Sequence, residues 1–69
     1  MKRTQRFERR LKDAREGNEI EVLQTYKHEI EMQRTRMNAS HNSFVRTCCK
    51  QEIDQLNAEH DSIEMEVVG

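Results

Sequence analysis

Proline and tryptophan are both absent from this chain of 69 residues, and there are only two glycines. Without proline few positions forbid a helix, and no stretch shows the alternation of β-branched and aromatic residues that marks strands. Helix-favouring residues such as Glu, Lys, Gln and Arg are common. The sequence therefore predicts an all-α protein with short breaks between its helices.

Large apolar side chains are also scarce, and aromatic residues make up only 4% of the chain. A domain this short rarely buries enough apolar surface to be stable without a disulfide, a metal or a partner subunit. The two cysteines, Cys48 and Cys49, are neighbours, and neighbours on a helix point about 100° apart and cannot form an ordinary bridge. We expect one small domain, residues 1–69, that self-associates or is completed by another protein.

No apolar run approaches the length of a signal-peptide core or a membrane span. Unpaired cysteines fit a reducing compartment. We therefore expect a cytoplasmic protein with no membrane contact.

Cysteine and histidine do not recur at the spacings of metal ligands. Cys49 and His60 share one helix face, but they are separated by about 16 Å along the axis. One metal ion, with bonds of about 2 Å, cannot hold both. The chain also has no Gly-rich phosphate loop and no nucleophile motif. We expect no metal, no cofactor and no small-molecule ligand.

Apolar residues at spacings of three and four predict three helices. The first covers residues 3–16 and is basic. The second and third cover residues 19–38 and 43–66, and the short turn-like segment between them predicts an antiparallel helical hairpin. The N-terminal helix, residues 1–17, would then pack on the hairpin or swap to a neighbouring molecule.

Gly17 and Asn18 predict the break between the first two helices. Glycine is the preferred residue just after a helix, and Asn18 could cap the next helix with Glu21 in the capping-box position. One long helix is the alternative, because a glycine costs only about 1 kcal/mol. The apolar stripes on its two sides would then lie about 100° apart, so we expect a bend.

The third helix has the clearest pattern in the chain. Ile53 and Leu56 fit heptad positions a and d, and glutamates recur every seven residues at position g. This pattern predicts a short coiled-coil-like seam, in which His60 is a polar residue that sets register or responds to pH. Ten residues are expected at the helix–helix interface: Leu23, Tyr26, Ile30, Met37, Val45, Cys49, Ile53, Leu56, His60 and Ile63.

Charge is distributed unevenly, with a net charge of +5 in residues 1–15 and −6 in residues 51–69. The first helix predicts a protein-binding basic face, made of Lys2, Arg3, Arg6, Arg9 and Arg10. Because no aromatic or amide residues alternate with these cations, an acidic protein surface is favoured over nucleic acid. The third helix of a second copy is such a surface. Basic and acidic residues at g positions pair best between antiparallel helices, which favours a symmetric homodimer.

Two segments support a family resemblance. The segment 50–56, Lys-Gln-Glu-Ile-Asp-Gln-Leu, resembles the Ser-Gln-Glu-Leu-Asp-x-Leu motif of the small aspartyl-phosphate phosphatases of sporulation phosphorelays. The segment 30–37, Ile-Glu-Met-Gln-Arg-Thr-Arg-Met, resembles the Ile-Glu-x-x-Arg-x-x-Met run of that family's first helix. The family's proteins are antiparallel helical hairpins that bind a phosphorylated response regulator and hydrolyse its aspartyl phosphate.

The resemblance implies that Gln51, Glu52 and Asp54 act at the phosphoryl group, where an amide or carboxylate could orient the attacking water. Lys50 and Ile53 depart from the motif, and the segment joining the two runs is shorter than in the family. The same run also fits a solvated helix face with Ile53 in the core. The sequence thus favours a non-catalytic helical interaction or regulatory module, with a phosphatase of response regulators as the alternative.

Overall fold

The computed structural model describes residues 2–69, which form three helices and, over that range, no strand. Helix α1 is Gln5–Asp13, α2 is Glu19–Ala39 and α3 is Ser43–Ile63. A π-helical turn, Glu64–Val68, continues α3. The prediction of an all-α protein is confirmed.

Helices α2 and α3 form the antiparallel hairpin that the sequence predicts, joined by residues 40–42. Asn42 caps α3, because its side-chain oxygen accepts from the backbone N–H groups of Phe44 at 2.9 Å and Val45 at 3.2 Å. Arg46 closes the turn from the other side by donating to the carbonyl oxygens of Met37 and Ser40. This end of the molecule is called the hairpin end below.

The segment Ala14–Asn18 joins α1 to α2 directly, so the N-terminal helix is not set apart by a loop, and the segment is kinked at Gly17. Gly17 has φ = 108°, a conformation that L side chains rarely adopt. The chain reverses there, because Arg10 contacts Glu29, a pair that a straight helix would hold almost 30 Å apart. The predicted bend is present. Asn18 is the N-cap residue of α2, as the sequence predicts, but its side chain makes no capping hydrogen bond.

One apolar core is shared by all three helices and consists of Phe7, Leu11, Ala14, Val22, Tyr26, Ile30, Ile53, Leu56 and Ile63. Helix α1 runs parallel to α3, since Thr4 contacts Glu59 and Arg15 contacts Glu66. It lies against the half of the hairpin nearest Gly17. The other half of the hairpin, towards residues 40–42, has no third helix on it.

None of the helices in residues 2–69 combines the length and the apolar character needed to cross a membrane.

Candidate interaction surface

Helix α1 directs two of its arginines at glutamates of the hairpin. Arg6 lies between Glu52 and Glu59, with N–O distances of 2.7 and 2.8 Å. Arg10 donates two hydrogen bonds to the carboxylate of Glu29, at 2.8 and 2.6 Å, and its guanidinium lies 4.6 Å from the centre of the Tyr26 ring. Paired with these carboxylates, the two arginines hold α1 on the hairpin.

The predicted basic face is therefore only partly a free surface. Arg3, just before α1, pairs with Glu8 of that helix, at 2.6 Å. Of the five predicted residues, Lys2 and Arg9 are exposed and have no carboxylate partner within the described chain. Two of the five, Arg6 and Arg10, bind glutamates of α2 and α3, and that the face binds another protein stays a prediction.

Glu59 is the most deeply buried polar side chain, with no exposed surface. Besides Arg6, its oxygens accept hydrogen bonds from Gln55 at 2.7 Å, Tyr26 at 2.8 Å and Thr4 at 3.2 Å. Burial alone would raise the pKa of Glu59, but the hydrogen bonds from Arg6, Gln55 and Tyr26 outweigh it and lower the pKa to about 2. Burial and the bond to Glu59 also raise the pKa of Tyr26.

The glutamates spaced by seven residues on α3 face α1 of the same molecule. Arg6 binds Glu52 and Glu59, and Arg15 reaches Glu66 at 3.5 Å. The heptad pattern predicts these glutamates on the border of the seam, paired with arginines of a second chain. A second chain is not needed to pair them, because Arg6 and Arg15 of the same molecule already do so.

The uncovered half of the hairpin carries an open groove between α2 and α3. Its lining residues are Gln33, Arg36, Phe44, Val45, Cys48, Cys49 and Glu52. Glu52 is also bound by Arg6 of α1, so the groove begins next to the part of the hairpin that α1 covers. On α2, Gln33 and Arg36 continue the helix face of Glu29, at spacings of four and three residues. The end groove, as we call it, is the unfilled continuation of the groove that α1 occupies.

The floor of the end groove is apolar and partly open to solvent. Phe44 is 76% exposed, which makes it one of the two most exposed large apolar residues described, and Cys48 is exposed beside it. Val45 and Met37 are half-buried. Cys49 is buried at 3% exposure.

The hairpin end is basic. Residues 32–51 contain Arg34, Arg36, Arg46 and Lys50 and no Asp or Glu. All four cations are exposed. Only Arg34 has a carboxylate partner among the described residues, at 3.6 Å. This concentration of charge is not obvious in the sequence, where the four cations are spread over residues 34–50 and the contrast between the two chain termini is larger.

The predicted interface residues divide by burial. Tyr26, Ile30, Cys49, Ile53, Leu56 and Ile63 are buried. Leu23, Met37, Val45 and His60 are half-buried. His60 packs edge-on to the Tyr26 ring, its Nδ1 lies 3.0 Å from an oxygen of Asp61, and its buried Nε2 has no hydrogen-bond partner.

The three residues singled out by the phosphatase resemblance do not share one environment. Gln51 and Asp54 are exposed, and neither makes a side-chain hydrogen bond within the described chain. Glu52 is half-buried and is held by Arg6. In residues 2–69 no group of three or more His, Cys, Asp or Glu side chains is placed to hold a metal ion.

Comparison with protein-family models, with curated proteins and with solved structures finds no significant match to this chain.

Proposed function

We propose that this protein is a non-catalytic helical interaction module that binds a protein partner in its end groove. The proposal rests on the groove itself, which continues the surface covered by α1 and has no helix packed on it in the described chain. An apolar floor bordered by cations is a surface on which an amphipathic helix can lie. The two free thiols, Cys48 and Cys49, fit a cytoplasmic location for such a module.

The lining favours a protein over a nucleic acid or a small ligand. Phe44 and Val45 offer apolar contacts, and a nucleic acid backbone would use the cations alone. The groove is open along one side, whereas sites for small molecules enclose most of the ligand. Phe44 would supply most of the affinity, while Arg36 at the border would set the orientation of the partner.

Affinity capture with two matched variants tests the proposal. Phe44→Gln removes the main apolar group of the end groove, whereas Met32→Gln removes an apolar group of α2 that is 59% exposed and does not line the groove. Both side chains are exposed, so neither change should alter the helicity seen by circular dichroism. We expect a partner that the parent and Met32→Gln capture equally and that Phe44→Gln loses. Equal capture by all three proteins contradicts the proposal.

A phosphatase acting on response regulators is the second candidate. The observation in its favour is that Gln51 and Asp54 are exposed and free to reach a phosphoryl group. In that case the parent should accelerate loss of label from a phosphorylated response regulator, and Gln51→Ala or Asp54→Ala should abolish the acceleration with helicity unchanged. A parent protein without activity excludes this function.

A further inference from the structure

The end of the molecule opposite the hairpin end carries a second exposed apolar surface. Met65 is 77% exposed and Val68 is 58% exposed, both on the helical turn that continues α3. With Asp61 and Glu64 they follow the spacing i, i+3, i+4 and i+7, so the four residues share one helix face. This acidic face is an amphipathic strip of two carboxylates and two apolar side chains.

The charge around this face is opposite to the charge of the hairpin end. Segments 13–22 and 61–69, which meet at this end of the bundle, contain seven acidic residues and one basic residue. The hairpin end has four basic residues and none that is acidic in segment 32–51. The molecule is elongated, with dimensions of 41 × 20 × 18 Å, so the two charges are well separated.

We propose that the acidic face of one molecule docks into the end groove of a second copy, which joins molecules head to tail. Met65 and Val68 would lie on the apolar floor formed by Phe44, Val45 and Cys48. Glu64 and Asp61 would face Arg36, the cation that lines the groove. The inference rests on the proposed function in one respect, since it uses the end groove as the binding surface and names a second copy as its occupant.

A symmetric contact between two hairpin ends fits these charges poorly. It would bring eight cations together with only the Glu52 carboxylate of each groove, which Arg6 already pairs, and like charges oppose association. The head-to-tail contact pairs opposite charges instead. Because it uses two different surfaces, each added molecule leaves one groove and one acidic face free, and assembly continues with concentration unless a ring closes.

Two double variants, each lacking one of the two surfaces, test the contact. The groove variant is Phe44→Gln with Arg36→Gln, and the acidic-face variant is Glu64→Gln with Met65→Gln. A control, Lys12→Gln with Met32→Gln, removes one cation of α1 and one apolar group of α2 from exposed positions outside both surfaces. Circular dichroism should show equal helicity in all four proteins, because every substituted side chain is exposed.

Sedimentation equilibrium at low salt should show that the average mass of the parent and of the control rises with concentration and falls when salt is added. Each double variant alone should associate about 30-fold more weakly. An equal mixture of the two variants should form a dimer and stop there, since one intact groove meets one intact acidic face. A groove-to-groove dimer would leave the acidic-face variant fully associated, and that result overturns the proposal.

The rate at which Cys48 is alkylated provides a second test, which uses the parent protein without substitutions. It is exposed in the end groove, whereas Cys49 is buried, so a gentle alkylating reagent should react with Cys48 first. If the groove is filled by a second copy, the rate of Cys48 alkylation should fall as parent concentration rises and stay constant in the acidic-face variant. A constant rate in the parent contradicts the proposal.

The two proposals can fail separately. A parent that stays monomeric at every concentration and salt, yet captures a foreign partner through Phe44, overturns head-to-tail assembly and leaves the interaction module intact. Assembly that is the same in the groove variant and the control overturns the head-to-tail contact, whereas equal capture of a partner by the parent and Phe44→Gln overturns the interaction module.

Discussion

At the scale of single residues, Glu59 ties the three helices together. Arg6 and Thr4 reach it from α1 and the residue that caps it, Tyr26 reaches it from α2, and Gln55 from its own helix. A buried carboxylate is tolerated only when its lone pairs are satisfied, and here several donors satisfy them. If an amide replaces the carboxylate, Arg6 keeps only Glu52 as an ionic partner. One of the two oxygens that accept these hydrogen bonds then becomes an NH2 group, which cannot accept them.

We therefore expect Glu59→Gln to lower the free energy of unfolding by about 2 kcal/mol. Urea denaturation followed by circular dichroism measures the change. Glu64→Gln, at an exposed position on the helical turn that continues α3, is the matched control and should change the value by less than about 0.5 kcal/mol. Equal stability of the two variants would show that the Glu59 contacts contribute little.

The stability should also depend on pH through Glu59. Its pKa is about 2 in the folded protein and about 4.3 in an unfolded chain, so the unfolded state takes up a proton first as the pH falls. The stabilisation is complete above about pH 5 and is lost as the pH falls towards 2. The hydrogen bonds from Arg10 lower the pKa of Glu29 and act in the same direction.

Unfolding free energies measured from pH 6 down to about pH 2.5 should therefore fall, and the fall should be shallower in Glu59→Gln. Parallel curves for the parent and this variant would assign the acid sensitivity to other carboxylates.

At the scale of helices and turns, Gly17 decides the path of the chain. Its φ of 108° reverses the chain between α1 and α2, and a Cβ atom built there meets nothing within 4 Å. If a larger residue at position 17 lowers the stability, the cause is therefore the strained backbone conformation and not a steric clash of the side chain.

Gly17→Ala should lower the free energy of unfolding by about 1 kcal/mol or more, and Gly17→Asn by less, because asparagine adopts positive φ more readily. Thermal or urea denaturation measures both. Gln24→Ala, on the exposed side of α2, is the control and should have little effect. If alanine at position 17 is neutral, the bend does not require the left-handed conformation.

The helices and the bend follow from local sequence signals, which explains why they could be predicted. The spacing of apolar residues predicted three helices, and Gly17 predicted the bend. The turn-like cluster predicted the hairpin, whose connection is residues 40–42. Burial of Glu59 could not be read from the same signals, because a glutamate every seven residues fits a solvent border equally well. Its burial depends on which face α1 covers.

The end groove was missed for the same reason. Phe44 and Cys48 look like ordinary helix residues in the sequence, and only the short length of α1 leaves them uncovered. The cations around them are spread over two helices and a turn. They become one surface only when the hairpin brings residues 34–36 beside residues 46–50.

At the scale of the whole molecule, α1 contributes to the same core as the hairpin and should unfold with it. Phe7 is 1% exposed, and truncating it opens a cavity in contact with the core residues of α2 and α3. We expect Phe7→Ala to cost about 3–4 kcal/mol, a large part of the stability of so small a domain.

The two phenylalanines of the chain make a matched pair for this experiment. Phe44→Ala, at a position 76% exposed, should leave stability within about 0.5 kcal/mol of the parent. In Phe7→Ala, the transition seen by circular dichroism and that seen by fluorescence of Tyr26, the only tyrosine, should shift together. A shift of the fluorescence transition alone would show that α1 detaches while the hairpin stays folded.

The separation of charge along the 41 Å length has a kinetic consequence. A molecule that is positive at the hairpin end and negative at the other end carries a large electric dipole. Two such molecules orient each other before they touch, which raises the rate of productive encounters at low ionic strength. Arg36 and Glu64 would then govern how often two ends meet, and Phe44 and Met65 how long they stay together.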